Sequence, residues 1–155
     1  LAASQTNNTL VLFQYVEKHG KPLYELIQSK VGDDKNVHFI AGDIDGDDRE
    51  KIRKNVINSD NNIIVASYGT FSTGVDIPNL HNVIFATSYK SKIKNLQSIG
   101  RGLRKSDGKE VATLYDIVDD ASTKSKKNYS VQHFMERLKI YNEEKFQFKI
   151  YNINF

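Results

Sequence analysis

Cysteine and tryptophan are absent from this chain of 155 residues, which also has only two prolines and one methionine. Without cysteine, the protein can form no disulfide, no thiolate nucleophile and no cysteine-ligated zinc or iron–sulfur centre. No apolar run reaches the ~18 residues of a membrane-spanning helix, so we expect no membrane partner. The lack of cysteine also suits a reducing compartment, and we expect a cytoplasmic protein.

The charged residues are unevenly distributed, although the net charge is only +3. Acidic side chains cluster in residues 43–50, whereas basic side chains cluster in residues 90–94, 101–105 and 124–127. A basic stripe can neutralise the phosphates of a nucleic acid. Solvated surface lysines produce the same pattern, so charge alone leaves both interpretations open.

Short apolar runs alternate along the chain with patterns of helical period. Continuous apolar runs are typical of strands that are covered on both faces, and alternation with helices predicts an α/β fold with a parallel sheet and helices on both faces. Ligands of such sheets bind beyond the carboxyl ends of the strands. We predict one domain over residues 1–145 and a tail, residues 146–155, that is either a strand or an arm facing a partner. The runs of strand type are residues 9–13, 37–40, 63–66, 82–86 and 111–118, and the helical patterns are residues 22–31, 49–57, 92–103 and 131–144.

Motifs for metals and for complete nucleotide sites fail on inspection. Gly69 and Gly74 have the spacing of a Walker A loop, but Val75 and Asp76 stand where its lysine and hydroxyl should follow. The chain is therefore not a nucleoside triphosphatase on its own. The four histidines are scattered and none forms a metal-ligand pair, so we predict no metal site.

The most informative segment is residues 97–104. Arg101 and Arg104 are three residues apart and share one face of the predicted helix. Guanidinium groups match phosphate oxygens with two hydrogen bonds each, and such a pair can stabilise the charge that develops during phosphoryl transfer. Gly100 argues against an ordinary basic surface helix, because glycine in an exposed helix costs ~1 kcal/mol relative to alanine.

A second polar segment, residues 67–78, directly follows one of the predicted strands. The hydroxyls of Ser67 and Thr70 and the glycine amides suit phosphate groups of a nucleic-acid chain. Asp76 is an acceptor suited to ribose hydroxyls. Taken alone, the segment is equally typical of a polar turn.

Together, in this order, the two segments resemble motifs V and VI of the superfamily 2 helicases. Motif VI in that family reads Gln-x-x-Gly-Arg-x-x-Arg, and motif V ends in Gly-x-Asp. The residues that match are Gln97, Gly100, Arg101 and Arg104 for motif VI, and Gly74 and Asp76 for motif V. Position 98 is a serine, where many relatives carry arginine.

Three further segments extend the resemblance over residues 10–141. The first strand with Gln14 resembles motif IV, and Gly42 with Arg49 resembles the Gly…Arg element that follows it. Residues 115–119 resemble the aspartate-bearing last strand of the family's second motor domain.

The resemblance implies a RecA-like domain that forms half of an ATP site. ATP with Mg²⁺ would lie in the cleft between this domain and an N-terminal RecA-like domain, which would carry the Walker A lysine and the magnesium ligands. Arg101 and Arg104 would contact the γ-phosphate as arginine fingers. The residues implied to bind the nucleotide are Gln97, Gly100, Gly74 and Asp76.

The resemblance also implies a nucleic-acid partner. Gln14, Gly42, Ser67 and Thr70 would contact the backbone of one strand. Within the family, the chain resembles the phage recombination and repair helicases, which implies DNA, single-stranded and branched, in the cytoplasm of a host cell. Two alternatives remain open: a nucleic-acid-binding module without ATPase activity, and a small-molecule domain that would bind nucleotide tightly through residues 69–76.

Overall fold

The computed structural model describes residues 1–42, 44–72, 79–87, 112–123 and 128–153. In this part of the chain, five parallel strands form one sheet in the order β2-β3-β1-β4-β5. The strands are β1 (Thr9–Phe13), β2 (Asn36–Ile40), β3 (Asn62–Ser67), β4 (Asn82–Phe85) and β5 (Thr113–Asp116). The α-helices are α1 (Lys21–Gln28), α2 (Gly46–Asn58), α3 (Tyr68–Ser72) and α4 (Tyr129–Glu143), with a 3₁₀ turn at Ala2–Ser4 and a π-helix at Val16–Gly20.

Helices cover both faces of the sheet, as the apolar runs predict. Side chains alternate between the faces along a strand, so Leu10 and Leu12 of β1 enter one core and Val11 and Phe13 enter the other. The first core contains residues of α2, α3 and α4, and the second contains Ile27 of α1. All residues of β1, β3 and β4 are buried, whereas the edge strands β2 and β5 are partly exposed.

The amino ends of the strands are closed by buried asparagines, and we call Asn8, Asn62 and Asn82 the amino edge. The Asn8 amide donates to the carbonyls of Val56 (3.0 Å) and Ser59 (3.2 Å). Its oxygen accepts from the backbone and side-chain nitrogens of Asn62, at 3.0 and 2.9 Å. Both donors and both acceptor positions of Asn8 are therefore used, which fastens the end of α2 to the sheet.

The π-helix before α1 departs from the sequence prediction, which began the helix at Pro22. The carbonyl of Tyr15 accepts hydrogen bonds from the backbone nitrogens of His19 and Gly20, both at 2.9 Å. Gly20 is required here, because the ring of Phe13 fills the space that a β-carbon at Gly20 would need. The turn depends on the end of β1 packing against it. This contact leaves no periodic pattern in the sequence, so the sequence predicted a helix only from Pro22.

The tail leaves α4 without regular structure over residues 146–153. Phe146 and Phe148 lie against the ring of Tyr141, with centroid distances of 6.3 and 6.2 Å. Ile150, Tyr151 and Ile153 are exposed. The tail was predicted to be either a strand or an arm facing a partner. No strand forms over these described residues, and the arm facing a partner stays a prediction.

The predicted helix over residues 92–103 lies outside the described residues. Among the helices that the structure describes, none has the length and apolar character needed to cross a bilayer.

Candidate nucleotide and nucleic-acid site

The carboxyl ends of β1 and β3, which are neighbours in the sheet, mark the point from which the chain leaves toward opposite faces, and we call this point the crevice. Phe13 and Ser67, the last residues of the two strands, are partners in the register. After β1 the chain turns to the second core, where Val16 packs, and after β3 it turns to the first core, where Tyr68 packs. Strand connections that diverge to opposite faces leave room for a ligand. We call the last residues of the five strands, the residues that follow them and the side chains in contact with these the carboxyl edge.

Two predicted site residues, Ser67 and Thr70, meet on the β3 side of this crevice. The Ser67 hydroxyl lies 2.9 Å from the Thr70 hydroxyl and accepts a hydrogen bond from the Thr70 backbone nitrogen at 3.1 Å. This is the geometry of a serine that caps the start of a helix, and it explains why α3 begins where the sequence was equally typical of a polar turn. Both side chains are buried, whereas Gly69 between them is exposed. A contact between either hydroxyl and a nucleic-acid strand stays a prediction.

The structure brings Gln14 to the same crevice but places Gly42 farther away. Gln14 is half-buried and directly follows β1. Gly42 follows β2, which is separated from β1 by β3. Nothing lies within 4 Å of the position a β-carbon would take at Gly42, so packing within the described residues does not demand a glycine there. The expected contacts of both residues with a nucleic-acid strand stay predictions.

A buried ion pair at the end of β5 was missed by the sequence analysis. Arg137 of α4 donates from Nε to Asp116 Oδ2 at 2.7 Å and from Nη2 to Oδ1 at 2.8 Å. The Tyr141 hydroxyl donates to Asp116 Oδ2 at 2.9 Å. The side chains of Arg137 and Asp116 are only 4% and 8% exposed. Arg137 Nη1 is buried without a hydrogen-bond partner in the described part of the chain.

The electrostatics of this cluster are those of a buried carboxylate shared by several donors. Burial and then the charge of Asp116 raise the pKa of Tyr68 and of Tyr141, so both phenols stay protonated. Burial alone lowers the pKa of Arg137, but the hydrogen bonds and charge of Asp116 outweigh burial and raise it. Arg137 is therefore a permanent cation inside the domain.

Tyr68 connects this cluster to the crevice. Its hydroxyl donates to the carbonyl of Thr87 at 3.0 Å, and its ring lies 5.8 Å from that of Phe85. Tyr68 thus fixes the end of β4 against the start of α3. A signal for the cluster did exist in the sequence: Arg137 falls between Phe134 and Tyr141 on the apolar face of α4, where a charge needs a partner.

The other predicted site residues cannot be placed. The arginines and the nucleotide-binding candidates all lie outside the described residues, and their roles stay predictions. They are Arg101, Arg104, Gln97, Gly100, Gly74 and Asp76.

Magnesium was expected only from another domain. Within residues 1–42, 44–72, 79–87, 112–123 and 128–153, no group of three or more His, Asp or Glu side chains could hold a metal ion. No described residue is therefore assigned to magnesium.

Comparison with known proteins gives two kinds of match. A family model described as the helicase conserved C-terminal domain matches residues 1–106. The ATP-dependent DNA helicase UvsW of Enterobacteria phage T4 is 38% identical over 162 residues, which cover 98% of this chain and 32% of the phage protein. The chain thus spans about a third of the length of that relative.

Solved structures agree with the fold. The crystal structure of T4 UvsW matches with a TM-score of 0.71 and 39% identity, over 92% of this chain and 30% of that one. The C-terminal domain of the DEAD-box protein Dbp5 matches with a TM-score of 0.64 over 92% of this chain and 74% of that one. At 15% identity, the second likeness shows the fold alone, which is RecA-like.

Proposed function

The chain belongs to the helicase conserved C-terminal domain family, and from this premise we propose that it is the second motor domain of an ATP-dependent DNA helicase that remodels branched DNA. The observation that carries the proposal is the crevice between β1 and β3. It is bordered by Gln14 and by Ser67, which belong to the two places where the sequence resembles nucleic-acid-binding motifs. The similarity to UvsW, a DNA helicase by name, supports DNA as the substrate.

The nucleotide would be bound between this domain and an N-terminal RecA-like domain. Arg101 and Arg104 would reach across to the γ-phosphate and stabilise the charge that develops as it is transferred to water. Gly74 and Asp76 would meet the sugar side, while Gln97 and Gly100 would complete the polar network. Mg²⁺, which neutralises phosphate charge, would be held by the N-terminal domain.

DNA would be held at the carboxyl edge by contacts that do not depend on sequence. Gln14, Gly42, Ser67 and Thr70 are the candidates for contacts to the phosphates and sugars of one strand, and such contacts position a strand without reading its bases. The hydrogen bond between the two hydroxyls at the start of α3 would be exchanged when a phosphate arrives. The substrates would be single-stranded and branched DNA in the cytoplasm of a host cell.

Movement would follow from a cleft with two states. ATP favours closure because both domains contact its phosphates, and hydrolysis removes those shared contacts. If each domain grips the strand differently in the two states, alternate closing and opening moves the motor along the strand. By linkage, DNA that favours closure must also favour the binding of ATP.

The test is Arg101→Ala in the full-length protein. We expect ATP binding to persist and DNA-stimulated ATP turnover to fall by about 10³-fold or more, the usual effect of losing an arginine finger. Arg53→Ala is the matched control, since this arginine lies on α2 in an exposed pair with Glu50. Near-normal turnover by the Arg101 variant would remove the finger assignment.

A second measurement separates the alternatives. Unwinding of a branched DNA by the full-length wild-type protein with ATP supports the motor. DNA binding without any ATP hydrolysis would instead favour the nucleic-acid-binding module.

A further inference from the structure

An exposed aromatic ring stands on the β1 side of the crevice. Tyr15 directly follows Gln14 and is 53% exposed. Its ring meets the ring of His19 edge to face, with centroids 5.2 Å apart and planes at 65°. His19 thus supports the ring of Tyr15 from within the domain, while more than half of the tyrosine surface remains accessible to solvent.

The backbone of Tyr15 is held by a costly local structure. Its carbonyl accepts hydrogen bonds from the backbone nitrogens of His19 and Gly20 in the π-helix Val16–Gly20, and π-helical turns are rare and occur often at functional sites. The turn can close only because Gly20 leaves room for the ring of Phe13. The ring of Phe13, the last residue of β1, therefore determines the position of the backbone at Tyr15.

His19 is placed under Tyr15 at a further cost. Its Nδ1 atom is buried and has no hydrogen-bond partner among the residues that the structure describes. Buried polar atoms without partners are uncommon, and each calls for an explanation. Packing alone does not explain why a polar ring supports an exposed one at this position.

We propose that Tyr15 is a stacking platform for a base of the DNA strand in the crevice. The proposal rests on the proposed function, because it takes the strand to lie at the carboxyl edge. Every base has an aromatic face, so stacking on a tyrosine adds affinity without demanding a sequence. It also adds a contact that phosphate recognition at Gln14 and Ser67 would lack, since it requires the base itself.

A nucleic-acid base fits this surface better than a protein partner does. The residues that flank Tyr15 along the chain include the half-buried Gln14 and the exposed Glu17 and Lys18, which are polar. The exposed apolar residues Ile150 and Ile153 belong to the tail, whose base packs on Tyr141 of α4. An isolated ring among polar groups offers a stacking face but no extended apolar patch.

The experiment compares two oligonucleotides on the full-length protein. One is fluorescently labelled oligo-dT, and the other has the same length and phosphates but abasic sugars at the central positions. We expect Tyr15→Ala to weaken binding of oligo-dT by about 5- to 30-fold, since stacking on one aromatic residue has an effect of this order. Binding of the abasic oligonucleotide should change by less than about 2-fold, because its phosphate contacts remain.

Two further variants complete the design. Tyr15→Phe keeps the aromatic face and should bind both oligonucleotides as the wild type does. Tyr129→Ala removes a more exposed tyrosine, 67% exposed at the start of α4, and should leave both affinities unchanged. Thermal unfolding of each variant checks that the domain remains folded.

The outcomes distinguish the inference from the function on which it rests. Equal losses on the two oligonucleotides would overturn stacking and leave DNA binding at the crevice intact. Unchanged affinity of Tyr15→Ala for oligo-dT would also overturn it and direct the search for a ligand of Tyr15 to proteins. A wild-type protein that binds neither oligonucleotide would overturn the proposed function together with the inference.

Discussion

The two ends of the sheet use polar residues in opposite ways. At the amino edge, Asn8 makes four hydrogen bonds and Asn82 donates to the carbonyl of Thr6 at 2.8 Å. At the carboxyl edge, Arg137 Nη1 and Thr87 Oγ1 are buried without partners within the described residues, and Tyr15 is exposed. Within the described residues, the polar groups of Asn8 are fully used, whereas the carboxyl edge retains unused hydrogen-bonding and stacking capacity.

The difference shows which polar residues support the fold and which are available to a ligand. A saturated buried network stabilises one arrangement and offers nothing further. Groups left incomplete cost stability, and they persist where a ligand or a moving segment completes them. Burial alone would not have separated the two edges, because both contain polar side chains with almost no exposed surface.

The largest effect is expected from breaking the ion pair at the carboxyl edge. Asp116→Ala leaves Arg137 and the Tyr141 hydroxyl buried without their acceptor, and we expect a loss of about 3–5 kcal/mol in the free energy of unfolding. Urea denaturation of the chain measures it. The double variant Asp116→Ala/Arg137→Met, which removes both charges, should regain most of the stability. If the double variant is no more stable than the single one, an unpaired buried charge is not the cause.

A loss of about 2–3 kcal/mol is expected at the amino edge from Asn8→Ala. Two carbonyls and the backbone nitrogen of Asn62 then lose their buried partner, and each such group costs on the order of 1 kcal/mol or more. In the full-length protein, below its unfolding temperature, DNA affinity and ATP turnover should match the wild type. A fall in DNA affinity with intact folding would contradict the division between the two edges.

An effect of about 1 kcal/mol that depends on pH is expected at Tyr68. Burial, and then the charge of Asp116, raise the pKa of its phenol above the ordinary value near 10. The unfolded chain therefore releases this proton first as the pH rises. The stabilising contribution is complete below about pH 10 and is lost above it, toward the higher pKa of the folded state.

Tyr68→Phe removes both the ionisation and the hydrogen bond to Thr87. At pH 7 the variant should be about 1 kcal/mol less stable than the wild type. By pH 11 the difference should nearly close, because only in the wild type does the unfolded chain gain stability by releasing the phenol proton. Urea denaturation at several pH values follows the gap. A gap that stays constant from pH 7 to 11 would mean that the phenol titrates normally.

The smallest effect is expected from an exposed ion pair. Lys51 and Asp48 lie on the surface of α2 with side chains 74% and 60% exposed and 2.9 Å between the charged atoms. Lys51→Ala should change the free energy of unfolding by less than about 0.5 kcal/mol, because solvent screens such pairs. Comparison of this change in the free energy of unfolding with that of Asp116→Ala shows how much burial increases the effect of removing a charge.

Much of the fold was predictable because it depends on local patterns. The apolar runs in β1 and β3 are continuous where both faces are covered, and they fixed the strands to within one or two residues at each end. The helical spacing of Phe134, Leu138 and Tyr141 likewise located α4. These elements confirm the predicted parallel sheet with helices on both faces.

What the sequence could not predict depends on contacts between distant residues. Asp116 and Arg137 meet only because β5 lies at an edge of the sheet and α4 returns across it. The π-helix depends on the ring of Phe13 filling the space above Gly20. For the site, the motif resemblance identified residues on both sides of the crevice, but the hydrogen bond between Ser67 and Thr70 is a matter of rotamers that no spacing rule contains.

The strand order also has a consequence for how the protein is made. β1 precedes the other four described strands in the chain and lies at the centre of their sheet, since Thr9 pairs with Ile63 on one side and with Asn82 on the other. Both hydrogen-bonding edges of β1 therefore stay unpaired until β3 and β4 have left the ribosome. Such non-local pairing slows folding, and the nascent chain has to keep this apolar segment soluble until its partner strands follow.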